Sequence, residues 1–320
     1  MADHSQGIRR PIVKLITSSV VRGSRQGESH GGVYLIDIEK QSVRQTLDWN
    51  TADIDWQGRG ADRGLRGIAF DNDRVYIAAS DELFAYTPDF KLIDSWRSPF
   101  LKHCHEIAVW ERTLYLTSTG YDSILGFHLD ELRFHWAMNI QTANYRFEAA
   151  GFDPMSDEGP LLLNKMHINN VFCSRHGMYI SGLRTGGMLH FNGTDINMAV
   201  QMPPGTHNAQ PFRDGVLFND SQDDVLRYTG RGEGEGEEDR AMKMPSYDPA
   251  RLERMDAADD KVARPGFARG LCVLSDRVVA GGSSPSTISV YDLAGNEMLL
   301  SVNLSMDVRN AIHGLEQWPY

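Results

Sequence analysis

The sequence predicts an all-β protein: one six-bladed β-propeller domain over residues 1–320, its ring closed by pairing the C-terminal strand with N-terminal strands. Three observations predict it. Short apolar runs rich in β-branched and aromatic residues recur six times. A further run precedes five of them at a nearly constant distance. A sixth copy of that further run stands close to the C-terminus.

The recurring runs are LITSSV from Leu15, VYIAAS from Val75, LYLTST from Leu114, MYISGL from Met178, VLFNDS from Val216 and VVAGGS from Val278. Each ends in small polar residues that favour a turn. A second strand-like run follows each: GVYLIDI, ELFAYTP, ILGFHLD, GMLHFNG, DVLRYTG and TISVYDL. Pro88-Asp89, Asn192-Gly193 and Ala294-Gly295 then mark turns. A third run completes most units: VRQTLDW, KLIDSW, RFHWAMNI, INMAVQM and EMLLSVNL, with AMKMP the weakest.

The fourth element is RGIAF from Arg66, HEIAV from His105, HINNV from His167, HNAQP from His207, RGLCV from Arg269 and HGLEQW from His313. In the first five units it starts 9, 9, 11, 9 and 9 residues before the next strand. A β-sandwich or barrel would also give many short strands, but it requires no constant offset. The expected blades are 312–320 with 12–49, then 66–98, 105–140, 167–203, 207–245 and 269–305. A short helix is expected from Pro249 to Ala258.

Apolar residues make up 41% and charged residues 23%, enough for a buried core. The net charge of −11 argues against nucleic acid or an anionic membrane as partner. No apolar run reaches the ~18 residues that span a bilayer. The N-terminal MADHSQGIRRPIVK lacks the apolar stretch of a secretory signal. Cys104, Cys173 and Cys272 are few and widely spaced, so the expected compartment is a reducing cytoplasm without disulfides.

The functional signal lies in the fourth element, the expected innermost strand. Its first residues, taken around the ring, are His313, Arg66, His105, His167, His207 and Arg269. Four of only 11 histidines fall at equivalent positions that should converge on one axis. Neutral imidazole suits a divalent transition metal such as Fe, Zn, Mn or Cu, with His105, His167, His207 and His313 as expected ligands. Guanidinium grips carboxylate, phosphate or sulfate, so Arg66 and Arg269 predict a small anionic substrate. His313 and His103 are candidate catalytic groups, and Arg184 and Tyr121 candidate substrate contacts on the long loops. The insertions at 141–166 and 246–268 enter the same face, where loops on a rigid scaffold build pockets. Glu106 and Glu316 are candidates to orient imidazoles. The alternative is a purely structural polar channel. The acidic run Arg231 to Asp239 reads as a solvated hairpin loop.

In repeat pattern the chain resembles six-bladed propellers of the lactonase, NHL and YVTN-like superfamily over nearly its whole length. That resemblance implies the fold. Lactonase-type members hold an axial metal with Glu, Asn and Asp, where this chain has His and Arg. The set His105, His167, His207 and His313 is similar to the axial iron ligands of carotenoid cleavage oxygenases. The set His313, Arg66 and Arg269 is similar to the axial residues of arylsulfate sulfotransferases. The resulting expectation is a metalloenzyme, an Fe(II) oxygenase or a lyase or hydrolase. A metal-independent lyase or transferase, or a non-catalytic binding propeller, are the alternatives.

Overall fold

The repeated runs become six antiparallel sheets in a computed structural model, which describes residues 14–25, 27–49, 64–230, 239–258 and 263–320. The first sheet contains β1 (Lys14–Val21), β2 (Gly31–Asp37) and β3 (Ser42–Asp48). Blade two is β4 (Leu65–Asp71), β5 (Arg74–Ala79), β6 (Glu82–Tyr86) and β7 (Leu92–Trp96). Blade three is β8 (Ile107–Trp110), β9 (Thr113–Ser118), β10 (Ser123–His128), β11 (Arg133–Ala143) and β12 (Arg146–Phe152). Blade four is β13 (Ile168–Ser174), β14 (Gly177–Gly182), β15 (Gly187–Phe191) and β16 (Ile196–Gln201). Blade five is β17 (Thr206–Phe212), β18 (Gly215–Asp220), β19 (Val225–Thr229) and β20 (Arg240–Lys243). Blade six is β21 (Arg269–Val273), β22 (Val278–Ser283), β23 (Thr287–Asp292) and β24 (Glu297–Asn303). Finally β25 (Asn310–Gln317) pairs with β1, so the first sheet runs β25-β1-β2-β3 and the ring closes as expected.

The middle strands are covered on both faces by neighbouring blades, so they read as continuous apolar runs. Every residue of β23 is buried, as is every residue of β1 after Lys14. The core is therefore a set of inter-blade layers. Tyr76, Leu101, Phe127 and Leu116 fill the one between blades two and three. Ile16, Val33, Ile77 and Leu65 fill the one between blades one and two.

Two elements differ from expectation. Blade three has a fifth strand, because part of the 141–166 insertion folds back as β12 through a two-residue turn. Asn144 and Tyr145 both have positive φ, 50° and 62°, as that hairpin turn requires. The Pro249–Ala258 stretch is not one helix but two 3-10 turns, Pro249–Arg251 and Met255–Ala257. Between them the Glu253 backbone bonds to Met306 and Val308. Tertiary backbone pairing overrides the local helical pattern. Most of the Asn50–Leu65 connection and most of the acidic run lie outside the described residues.

Candidate functional site

The six axial residues sit where the inner strands depart from regular pairing. Register shifts fall between Leu65 and Ile68, Ile168 and Asn170, His207 and Gln210, and Arg269 and Leu271. In β25 the shift lies between Ile312 and Leu315, opposite Ser19 and Thr17. In blade three His105 precedes the ladder altogether. Such bulges re-aim a side chain, here toward the axis. Left-handed backbone stands within two of them, at Gly270 with φ +76° and Asn208 with φ 53°, and His167, just before its strand, has φ 55°.

The structure brings the axial set together. The His105 ring lies 5.2 Å from that of His167 and 5.9 Å from that of His313, centroid to centroid. Arg66 Nη1 donates to the Cys104 carbonyl at 3.3 Å and lies against the His105 ring, 3.2 Å from Nδ1 and 3.3 Å from Nε2. Arg269 Nη1 is 3.4 Å from His313 Nε2. Arg66, His105, His207, Arg269 and His313 are buried, and His167 is half-buried. Burial, followed by the guanidiniums, holds His105, His207 and His313 well below the usual imidazole range. The same causes push His167 down to about 3. All four imidazoles are neutral at pH 7.

The tautomers can be assigned from fixed acceptors. His105 Nδ1 lies 2.8 Å from the His103 carbonyl, and His207 Nδ1 lies 3.0 Å from the Gly205 carbonyl. His167 Nδ1 lies 3.0 Å from Asn164 Oδ1. Each acceptor needs a proton from Nδ1, so each ring carries its lone pair on Nε2. Behind the rings stands a row of hydroxyls that sequence reasoning had taken only as turn formers. Thr119 Oγ1 is 2.9 Å from His105 Nδ1, Ser221 Oγ is 3.2 Å from His207 Nδ1, and Ser80 Oγ is 3.3 Å from His103 Nδ1. Their signal was present: the recurring runs VYIAAS, LYLTST, VLFNDS and VVAGGS each end on Ser or Thr.

One mouth of the site is basic. Phe267, which the sequence analysis did not single out, has the guanidinium carbons of Arg269, Arg22 and Arg264 at 4.8, 4.9 and 5.2 Å from its ring centroid. Its ring is 5.9 Å from that of His207. A cavity of about 620 Å³ opens beside it, lined by Arg184, Arg264, Phe267, Ser221 and Gln222 among others. Arg184 thus reaches this mouth, while donating from Nε to the Lys165 carbonyl at 2.6 Å. Tyr121 does not line the cavity. Its ring packs edge-on against Phe100 in the apolar layer between blades two and three, 5.4 Å away. His103, at φ 55°, serves the site through its carbonyl, which fixes His105. Cys104 is fully buried and its thiol is pushed up to about 12 by burial.

Further along the inner strands a cavity of about 440 Å³ holds Glu106 and Glu316 with Asn170, Asn208 and Gln210. Burial raises both carboxyls to about 8. Asn208 Nδ2 donates to Glu106 Oε1 at 2.8 Å, and Asn208 Oδ1 accepts from the Gly270 amide of the next blade at 3.0 Å. The glutamates therefore line this cavity rather than orient imidazoles: Nδ1 of His105, His167 and His207 is held by carbonyl oxygens.

The histidines as disposed do not fit one shared metal ion. Among the described residues no group of three or more His, Cys, Asp or Glu is arranged to hold one. A cation already crowds two of the rings, with Arg66 Nη1 3.2 and 3.3 Å from the two His105 nitrogens and Arg269 Nη1 3.4 Å from His313 Nε2.

Fold and site together define a β-propeller with a buried, basic, imidazole-rich axis. No protein-family profile and no curated protein matches the sequence. Solved structures match in fold. A Bacteroides caccae protein of unknown function overlaps with a TM-score of 0.59 at 9% identity, covering 97% of this chain and 100% of that one. A chain of a nidogen/laminin complex overlaps with a TM-score of 0.57 at 10% identity, covering 95% and 98%. Virginiamycin B lyase from Staphylococcus aureus overlaps less well, with a TM-score of 0.47 at 10% identity over 92% and 90%. Among the described residues no helix is long and apolar enough to cross a membrane.

Proposed function

We propose that the propeller axis is the active site of a metal-independent enzyme of the lyase or group-transfer type, acting on a small anionic substrate. Arg66 and Arg269 hold the anion, and a neutral axial imidazole accepts a proton from it. The observation that carries this reading is the contact of each guanidinium with a neutral imidazole, Arg66 with His105 and Arg269 with His313. A negative charge placed between the arginines then meets an unprotonated nitrogen. One buried axial atom without a hydrogen-bond partner among the described residues points the same way, His207 Nε2. It costs about 1–3 kcal/mol until something polar satisfies it.

The test is a thermal-shift screen of small carboxylates, phosphates and sulfates, followed by turnover assays of the hits with and without exhaustive chelation. Saturable stabilisation that Arg269→Met abolishes, with turnover indifferent to chelator, supports the reading. One equivalent of Fe, Mn, Zn or Cu per chain, lost on His207→Ala, would overturn its metal-independent part. No stabilisation by any anion would overturn the whole.

A further inference from the structure

The four axial imidazoles are not equivalent. Arg66 Nη1 lies against the His105 ring, 3.2 Å from Nδ1 and 3.3 Å from Nε2, and Arg269 Nη1 lies 3.4 Å from His313 Nε2. His207 differs. Its Nδ1–H is committed to the Gly205 carbonyl, with Ser221 Oγ at 3.2 Å; that hydroxyl itself donates to the Gly205 carbonyl at 2.6 Å. The ring cannot reverse its tautomer without setting a lone pair against a carbonyl oxygen. Its Nε2 is buried and has no hydrogen-bond partner among the described residues, and the residue is only 3% exposed. His207 therefore presents a fixed acceptor within a site whose charged groups are donors.

Arg269 and His207 both lie against Phe267, the guanidinium carbon 4.8 Å and the imidazole centroid 5.9 Å from its ring centroid, so an anion seated by the axial arginines lies beside that acceptor. An oxyanion with no proton would place its own lone pairs against the Nε2 lone pair. An anion of the same shape that carries an O–H would donate to it. Resting on the anion-binding reading above, we infer that the axial site selects an anion that is also a hydrogen-bond donor. The chemical class is a hydrogenphosphate or a 2-hydroxy carboxylate, and His207 is the residue that discriminates. The pair of requirements, cationic donors and one neutral acceptor, is met by no plain carboxylate and by no sulfate ion.

Calorimetric titration of the intact protein with matched probes tests this. Inorganic phosphate, which keeps at least one hydroxyl at neutral pH, is compared with sulfate, and lactate with acetate. The expected result is a preference of about tenfold or more for the donor in at least one pair, the size of effect an unmatched buried acceptor produces. The pair that shows it distinguishes a phosphate from a hydroxy acid. His207→Leu should erase the preference by weakening the donor anion alone, and Arg269→Met should weaken both anions. Equal affinity within both pairs would overturn this inference and leave the anion site standing. Binding of none of the four probes would overturn the anion reading itself. Should the leucine variant fail to fold, ¹⁵N NMR of the wild-type imidazoles decides: a proton on Nε2 of His207 would overturn the assignment.

Discussion

At the scale of single residues, the axis sets two kinds of titrating group against each other. Its histidines are held neutral and its carboxyls are held protonated, both because burial penalises charge. The two effects pull stability in opposite directions with pH. The imidazoles have folded pKa values below the ordinary 6.5, so their contribution is complete above that value and is lost as pH falls below it. Glu106 and Glu316 rise from 4.5 to about 8, so theirs is complete below 4.5 and is lost as pH climbs toward 8. Glu316 makes the cleaner probe, because desolvation alone shifts it, whereas Glu106 also faces Asn208, Glu316, Arg269 and Arg66. Glu316→Gln should lose less melting temperature than wild type between pH 6.5 and about 8 in scanning calorimetry. Parallel curves for the two proteins would contradict the shift. Phe267 is the other residue to test. Phe267→Ala removes the surface on which Arg22, Arg264 and Arg269 lie, and should weaken anion binding about tenfold while leaving the fold intact. Unchanged affinity, read by the same titration, would show that the ring does not order the guanidiniums.

At the scale of elements, the inner strands explain why the axial side chains converge. A regular strand alternates its side chains between two faces. The bulges break that alternation where a side chain must face the axis. Gly270 shows the cost of this device. It has φ +76°, and a Cβ there would stand 2.9 Å from the His313 carbonyl oxygen and from Ile312 Cγ2. Gly270→Ala should destabilise the protein by about 1–3 kcal/mol, seen as a lowered urea midpoint. The spacing of the inner runs was legible because hairpins of fixed length repeat. The bulges were not, since they arise from pairing between strands. The Pro249–Ala258 stretch failed for a related reason, its helix signal being local and its backbone partners lying at Met306 and Val308.

At the scale of the whole molecule, polar bonds near the axis join neighbouring blades. Ser18 Oγ donates to the Arg66 carbonyl at 2.5 Å, and the Gly67 amide donates to the His105 carbonyl at 2.9 Å. Thr119 Oγ1 donates to Ile168 O at 2.5 Å, Asn169 Nδ2 to Thr206 O at 3.0 Å, and the Gly270 amide to Asn208 Oδ1 at 3.0 Å. These bonds make each axial residue depend on the next blade, so the site exists only in the closed ring. Closure rests on β25, whose Leu315 is buried beside Leu15 and Ile312. Leu315→Ala should cost about 2–5 kcal/mol, measured by urea unfolding. Deleting residues 310–320 should do more: it removes His313 and leaves an edge of β1 unpaired. Broad, non-cooperative unfolding of the truncated chain is expected. A wild-type transition would mean that the ring does not need its clasp.

The sequence by itself determined the propeller, its number of blades, its closure and the identity of the six axial residues. Those follow from strand periodicity and from a repeated offset, and both are properties of the chain taken in order. Only the tertiary structure decided what the axial set can do. It set guanidiniums against His105 and His313 and left Nε2 of His207 without a partner among the described residues. It drew Arg22 in from its loop onto Phe267, and it sent Tyr121 into an apolar layer instead. The physical reason is that the role of an imidazole is set by whichever carbonyl, hydroxyl or cation lies within about 3 Å of each nitrogen. Those partners come from bulged backbone and from adjacent blades, which strand periodicity does not specify.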